Sequence, residues 1–312
     1  MPDIESNDDR AGKSNFESIY HAPDPREYFR VLVGLDYIIP NLAKVIFRSL
    51  VEHRQNQRGA PLKVVDIGSS YGINSAVVNH PLDIERLARR YQESEIYALP
   101  SEELADLDRN YFASWPKLSD ATFVGVDTSV PAASYAQSVG LLDHTVTSDL
   151  ERSDPSADEQ RLLSDTDLII STGCVGYVTE KTFGRVLNCH QGPIPPIVAS
   201  FVLRMYPYTD IESRLSQFGL VTEKMEGITF VQRRFASQQE CTFTVDTLNS
   251  MGIDSRGKEA DGLLHAELFV SRTKEAIDDL PLGELVSITL GENSTRGRRF
   301  KRTECSHTEF VQ

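Results

Sequence analysis

The apolar positions of this chain switch between two periods. From Pro25, the side chains Tyr28, Phe29, Val31, Leu32 and Leu35 recur at helical spacing; after Ile39-Pro40 a second such run continues through Leu42, Val45, Ile46, Leu50 and Val51. Proline gives a helix interior no N–H, so Pro40 divides these runs into two helices. The polar stretch His53 to Ala60 then leads to a short continuous apolar run, Leu62 to Val65, which predicts a buried strand. Small residues follow, and Ile73 to Val78 reads as the start of a helix packed on a sheet.

Between His80 and Asp120 the chain turns charged and helical, through DIERLARRYQ and SEELADLDRNYFASW. Thr122 to Val126 predicts a second strand, Pro131 to Val139 a short helix, and His144 to Thr147 a third apolar stretch. Asp167 to Ser171 predicts another strand, with a helix beginning near Thr179, and Ile197 to Met205 a further strand. Ile211 to Phe218 is helical, with Gly219 as its stop. Thr229 to Phe235 and Leu264 to Val270 predict strands joined by a longer connection, an antiparallel pair.

Strands alternating with helices mean βαβ units. The fold class that follows is α/β, a Rossmann-like doubly wound, mostly parallel sheet with a final antiparallel strand pair and N-terminal helices. Residues 1–14 are polar and expected to be disordered, 15–60 form a helical cover, 61–273 the sheet domain with a helical insertion at 80–120, and 274–312 an appendage.

Composition narrows the partners. With 40% hydrophobic and 25% charged residues the chain is that of an ordinary globular protein, and 312 residues bury a sizeable core. Its formal net charge of −14 repels phosphate backbones, so no nucleic-acid partner is expected, and the short basic stretch Arg296 to Arg302 reads as a solvated patch. Cys174, Cys189, Cys241 and Cys305 are widely spaced, which predicts reduced thiols with neither a disulfide framework nor a metal site. The acidic opening MPDIESNDDR predicts no secretory signal, and the lack of a long apolar run predicts no membrane association, hence a cytoplasmic protein.

Ligands of open α/β sheets bind at the C-terminal ends of the strands. The first predicted strand is followed by Asp66-Ile-Gly68-Ser-Ser70-Tyr-Gly72, in which glycine permits positive φ and removes a Cβ that would block a ligand. Asp127 follows the second strand and suits the two hydroxyls of a ribose; Asp149 follows the third, and Thr172-Gly173, leading to Tyr177, the fourth. Singly, each is as readily a turn or a helix cap. Their order along the chain points to a ribose-containing cofactor. A dinucleotide site would carry G-x-G-x-x-G, whereas Ser70 stands where its second glycine would be. Asp66 would repel a pyrophosphate and receive an amino group, which favours a cofactor with an ammonium and no phosphate.

These residues resemble the class I S-adenosylmethionine-dependent methyltransferases, whose first motif reads (D/E)-x-G-x-G-x-G. Asp66, Gly68 and Gly72 match it, and Ser70 departs from it. The resemblance extends over about Leu62 to Arg272 and implies S-adenosylmethionine as cofactor, Asp127 on its ribose and Asp149 on the adenine amino group. It implies Thr172 and Gly173 at the methyl-donor end. Tyr177 is the candidate catalytic residue, offering a ring face or hydroxyl to the sulfonium. The activity implied is methyl transfer to a small-molecule acceptor.

The GSSYGIN loop and the GYVTEK segment resemble, more narrowly, methyltransferase-like proteins of bacterial natural-product pathways. Some relatives of that kind cyclise S-adenosylmethionine to azetidine-2-carboxylate and release methylthioadenosine, an alternative reading here. A non-catalytic cofactor-binding protein is another, and an NAD-type oxidoreductase is disfavoured by the missing glycine motif. For a general base the mid-chain candidates are His144 and His190, each more readily structural, and Cys174 has no base beside it. Arg204, Tyr206 and Tyr208 are placed to line an acceptor pocket. Tyr111, Phe112 and Trp115 read as packing residues before lid aromatics.

Overall fold

The computed structural model describes residues 16–286, 299–302 and 308–311. The tail 1–14, Cys305 and the first part of the Arg296–Arg302 stretch lie outside the described residues. The chain opens with α1 (Glu17–Tyr20), α2 (Arg26–Val33) and α3 (Ile39–Arg58), with Pro40 in the first turn of α3, where its missing N–H is harmless. Then follow β1 (Lys63–Ile67), α4 (Ile73–Asn79), and the insertion helices α5 (Ile84–Gln92), α6 (Ser94–Tyr97) and α7 (Ser101–Ala113). The central run is β2 (Thr122–Val126), α8 (Val130–Ser138), β3 (His144–Val146), α9 (Ala157–Leu163), β4 (Leu168–Thr172) and α10 (Glu180–Cys189). It continues through β5 (Ile197–Leu203), α11 (Thr209–Ser216), β6 (Leu220–Lys224), β7 (Phe230–Arg234) and α12 (Gln238–Ser250). β8 (Leu263–Thr273), α13 (Lys274–Asp279) and α14 (Leu282–Leu285) close the main body, and β9 (Arg299–Arg302) pairs with β10 (Thr308–Val311).

The main sheet runs β3-β2-β1-β4-β5-β8-β6, with β7 also paired to β8. β1 to β5 are mutually parallel, and β8 runs antiparallel to β5, β6 and β7. This is the expected Rossmann-like, mostly parallel sheet, in which helical crossovers cover both faces and leave β1, β4 and β5 almost wholly buried. The expected closing pair, β7 with β8, is present. β6 was not anticipated, because LVTEK carries too few apolar positions to read as a strand. Its pairing with the far half of β8, Leu220↔Thr273 to Lys224↔Phe269, provides the partner that its composition conceals. α9 and α12, also missed, are weakly patterned helices whose starts are fixed by Ser156 and Ser237 caps.

The N-terminal cover and the insertion are built into one another. Arg26 donates to the carbonyls of Tyr97 at 2.8 Å and Leu99 at 2.6 Å, and Ser101 donates to Asp24 at 2.7 Å. Beneath them Phe29 stacks on Tyr91 with ring centroids 4.8 Å apart. The insertion is fastened to α8 by the fully buried Asp108. That carboxylate accepts from Arg90 at 2.6 and 2.9 Å, from Tyr91 at 2.9 Å, and from Tyr135. The insertion aromatics pack as expected: Phe112 is buried, and Arg90 and Arg86 lie 4.0 and 4.9 Å from the ring centres of Tyr111 and Trp115.

A buried, fully hydrogen-bonded carboxylate stabilises only while all its donors are met. Asp108→Ala strands a guanidinium and two phenols in the core, and urea unfolding is expected to show a loss of about 3–5 kcal/mol.

Candidate functional site

β1 reaches Ile67, because that residue still pairs with Val126 and Ser171, so Asp66 lies within the strand and not behind it. Opposite it stand Gly125 on one side and Ile170 on the other. The carboxylate is completely buried. Its Oδ1 accepts from Asn74 Nδ2 at 2.9 Å, and its Oδ2 has no hydrogen-bond partner among the described residues. Burial pushes the Asp66 carboxyl up to about 7, against the Asn74 hydrogen bond, which pulls it down. Asn74 Nδ2 also reaches Thr172 Oγ1 at 3.2 Å, so one amide joins the ends of β1 and β4.

The glycine loop after β1 is left-handed at three of its residues. Gly68 and Gly72 have φ of 74° and Ser70 has φ of 48°, a conformation unfavourable for a side chain bearing Cβ. The strain at Ser70 aims its N–H at Asp127, which accepts it on Oδ2 at 2.8 Å and takes the N–H of Ser129 on Oδ1 at 2.8 Å. Burial raises the Asp127 carboxyl above its usual range, while the Ser129 and Ser70 N–H groups and His21 hold it back. Ser69 Oγ and Ser70 Oγ are buried without partners. The two glycines differ in role. A Cβ on Gly68 would lie 2.7 Å from Cys174 Cβ, at the junction of the first and fourth strand ends. One on Gly72 would lie 3.0 Å from Leu141 Cβ, inside the packing of the α4 layer.

At the fourth strand end, Gly173 has φ of 67° and Gly176 of 109°. A Cβ on Gly173 would meet the amide of Gln232 at 2.9 Å, and one on Gly176 the ring of Tyr206 at 2.6 Å. Tyr177 is 53% exposed and interacts electrostatically with Arg233 and Glu240. Arg233 and Glu240 form a buried two-pronged ion pair at 2.6 and 2.9 Å. The tyrosines Tyr20 and Tyr37, from the N-terminal cover, share this neighbourhood. Burial raises the phenols of Tyr20 and Tyr177, and pushes Tyr37 and Tyr206 up to about 12, so all four are neutral at physiological pH.

The cover is seated on the same loop. Tyr71 donates to the carbonyls of Ile19 at 2.8 Å and Ala22 at 2.9 Å, and Ser129 donates to that of Tyr20. Asp66, Gly68, Ser70, Asp127, Thr172, Gly173 and Tyr177 are therefore gathered at one end of the sheet. Asp149 has local partners, the Glu151 N–H at 3.0 Å and Arg152 at 3.3 Å. His144 begins β3 and His190 ends α10, both at the opposite edge of the sheet from the strand ends, so neither is placed as a base. Of the expected acceptor-pocket residues only Tyr206 belongs to this neighbourhood. Arg204 is ion-paired with Glu259 at 2.5 Å, and Tyr208 stacks on Phe269 with centroids 4.4 Å apart. Sequence reading missed Asn74, Gln232, Arg233 and Glu240. Asn74 alone had a local signal, an amide eight residues beyond Asp66 on the first turn of the following helix.

No family model matches the chain, and no curated protein matches it. Among solved structures it is similar to the plantazolicin methyltransferase BpumL in complex with SAH: 13% identity, covering 76% of this chain and 84% of that one, TM-score 0.36. It is also similar to magnesium protoporphyrin IX methyltransferase (ChlM) from Synechocystis PCC 6803 with bound SAM: 13% identity, 75% and 81% covered, TM-score 0.37. A TehB-like SAM-dependent methyltransferase from Corynebacterium glutamicum shows 15% identity, with 70% and 86% covered and a TM-score of 0.33. At such identities and scores the likeness carries nothing about chemistry. The strand order with its one reversed strand, β8, is that of a Rossmann-like, mostly parallel sheet.

Asp66 also sets a pH dependence. Its folded-state proton affinity exceeds that of the unfolded chain, so the native state holds the extra proton between about pH 4 and 7 and loses stability as pH rises through that window. Asp66→Asn is expected to flatten the fall in unfolding free energy across that range, measured by urea denaturation at stepped pH. An unchanged profile would place the titration elsewhere.

Proposed function

We propose that the chain binds S-adenosylmethionine across the ends of β1 and β2 and transfers its methyl group to a small-molecule acceptor at the end of β4. The observation that carries this reading is Asp66 Oδ2, a buried carboxylate oxygen without a donor, beside a left-handed loop whose N–H is fixed on Asp127. An ionised carboxylate in that position is unfavourable by several kcal/mol unless a cation meets it, and an α-ammonium supplies both charge and N–H donors. Each Asp127 oxygen accepts a single backbone N–H and keeps a lone pair for a ribose hydroxyl. The unpartnered Ser70 Oγ adds a further polar group to this cradle. The residues present thus fit the cofactor.

When bound, the cofactor supplies an electrophilic methyl group on a sulfonium. The chain's own contribution is positioning and exclusion of water. Gly68 and Gly173 keep the strand ends free of Cβ atoms, and the cover seated by Tyr71 and Ser129 closes over the loop. Tyr177 offers a ring face to the sulfonium, an arrangement favourable by about 0.5–2 kcal/mol. Burial raises the phenols of Tyr177 and Tyr206, which disfavours a phenolate there. In this reading Asp149 serves the adenine amino group from its half-open position after β3.

Calorimetry with S-adenosylmethionine and S-adenosylhomocysteine tests the reading. Both are expected to bind, and Asp127→Ala to weaken both at least about tenfold, as for loss of charge-assisted hydrogen bonds. Affinity is expected to rise from pH 6 to 8, because the ammonium needs the ionised form of a carboxyl that titrates at about 7, and Asp66→Asn to remove that slope. Mass spectrometry of the nucleoside products is expected to show S-adenosylhomocysteine only when an acceptor is present. Absence of binding by both nucleosides would overturn the proposal.

A further inference from the structure

β7 pairs with β8 through Phe230↔Ala266 and Val231↔His265, then resumes at Arg233↔Leu264, which leaves Gln232 as an extra residue in the ladder. A bulge of this kind breaks the strand's alternation and re-aims a side chain. Here Val231, Gln232 and Arg233 are consecutively buried, at 8%, 4% and 1% exposure. The bulge is held from outside the sheet, since the carbonyl of Gln232 accepts from the Ile38 N–H at 3.0 Å.

The re-aimed amide meets the end of β4. It lies against Gly173 so closely that a Cβ there would be 2.9 Å from Nε2 and 3.2 Å from Oε1. β7 stands three strands from β4, so the contact joins segments remote in the ladder, with Gly173 in the turn just beyond the end of β4. Gln232 Oε1 nevertheless has no hydrogen-bond partner among the described residues. A buried acceptor left unmet is unfavourable, and a methionine would fill the same length without that penalty.

A second unmet acceptor, Asp66 Oδ2, borders the same neighbourhood, because Tyr37 interacts electrostatically with both Asp66 and Arg233, the residue after Gln232. Asp66 bonds Asn74, Asn74 bonds Thr172 Oγ1, and Thr172 precedes Gly173, on which the Gln232 amide rests. Two buried oxygens without donors, one a carboxylate and one an amide, together suit a small cation with several N–H groups. Resting on the function proposed above, we infer that Gln232 is a cofactor-binding residue whose Oε1 shares with Asp66 Oδ2 the α-ammonium of S-adenosylmethionine. The bulge in β7 would then exist to carry recognition of the amino-acid end across to the β4 side of the site.

The test compares S-adenosylmethionine with 5′-methylthioadenosine, which keeps the adenosine and the sulfur but lacks the amino-acid portion. For Gln232→Met, calorimetry is expected to show about tenfold or greater loss of affinity for S-adenosylmethionine, with 5′-methylthioadenosine bound as by the unaltered protein. Gln232→Glu keeps the shape and an acceptor, and is expected to hold S-adenosylmethionine within about threefold of the unaltered chain. Undiminished affinity in Gln232→Met, or equal loss for both nucleosides, overturns the inference. So does a loss of about tenfold or more in Gln232→Glu, a criterion that stands even if the methionine variant does not fold. Failure of the unaltered protein to bind either nucleoside overturns the function itself, a separate outcome.

Discussion

The arrangement at the strand ends depends on one unfavourable placement, a carboxylate enclosed in the middle of a parallel sheet. Asp66 has β2 and β4 on either side of it, and only Asn74 meets it. A carboxyl so enclosed prefers its proton and leaves an oxygen unmatched. The core around it tolerates this because the surrounding strands are apolar and their ladders complete. In the function proposed above, such a group is met by a cation that arrives from outside.

That arrangement is assembled from remote segments. Asn74 joins two strand ends, Ser70 and Ser129 hold Asp127 from both sides, and Gln232 reaches the fourth strand from the reversed half of the sheet. Above them the N-terminal cover is bonded to Tyr71 and Ser129, and through Arg26 and Asp24 to the insertion. The insertion in turn is anchored to α8 by Asp108. A continuous line of hydrogen bonds therefore leads from the glycine loop through the cover to the outer helices. The arrangement places the two segments absent from a minimal α/β sheet domain around the loop proposed to hold the cofactor.

Much of this was legible in the sequence, for a reason particular residues make plain. KVVDI, TFVGV and LIIS are short segments dominated by apolar residues and bordered by small ones, and a buried parallel strand needs only that local pattern. The chain order of Asp66, Asp127 and Gly173 follows from the alternation of strands with helices. Chain direction alone also puts His144 and His190 at the wrong edge of the sheet, since one begins a strand and the other ends the helix that follows one.

What the sequence by itself determined was therefore the class of fold, the helical segments before the sheet, and the strand ends from which a site is built; all depend on periodicity and chain polarity, which are local. Only the tertiary structure decided what each missing Cβ makes room for, Cys174 at Gly68 and Leu141 at Gly72, since the two glycines share the same φ and differ in their neighbours. It alone decided that LVTEK is a strand, that Arg204 and Tyr208 are structural, and that Gln232 is turned onto Gly173. Each of these follows from contacts between residues far apart in the chain, where the partner that satisfies or leaves unsatisfied a polar atom is set by packing and leaves no mark on the neighbouring sequence.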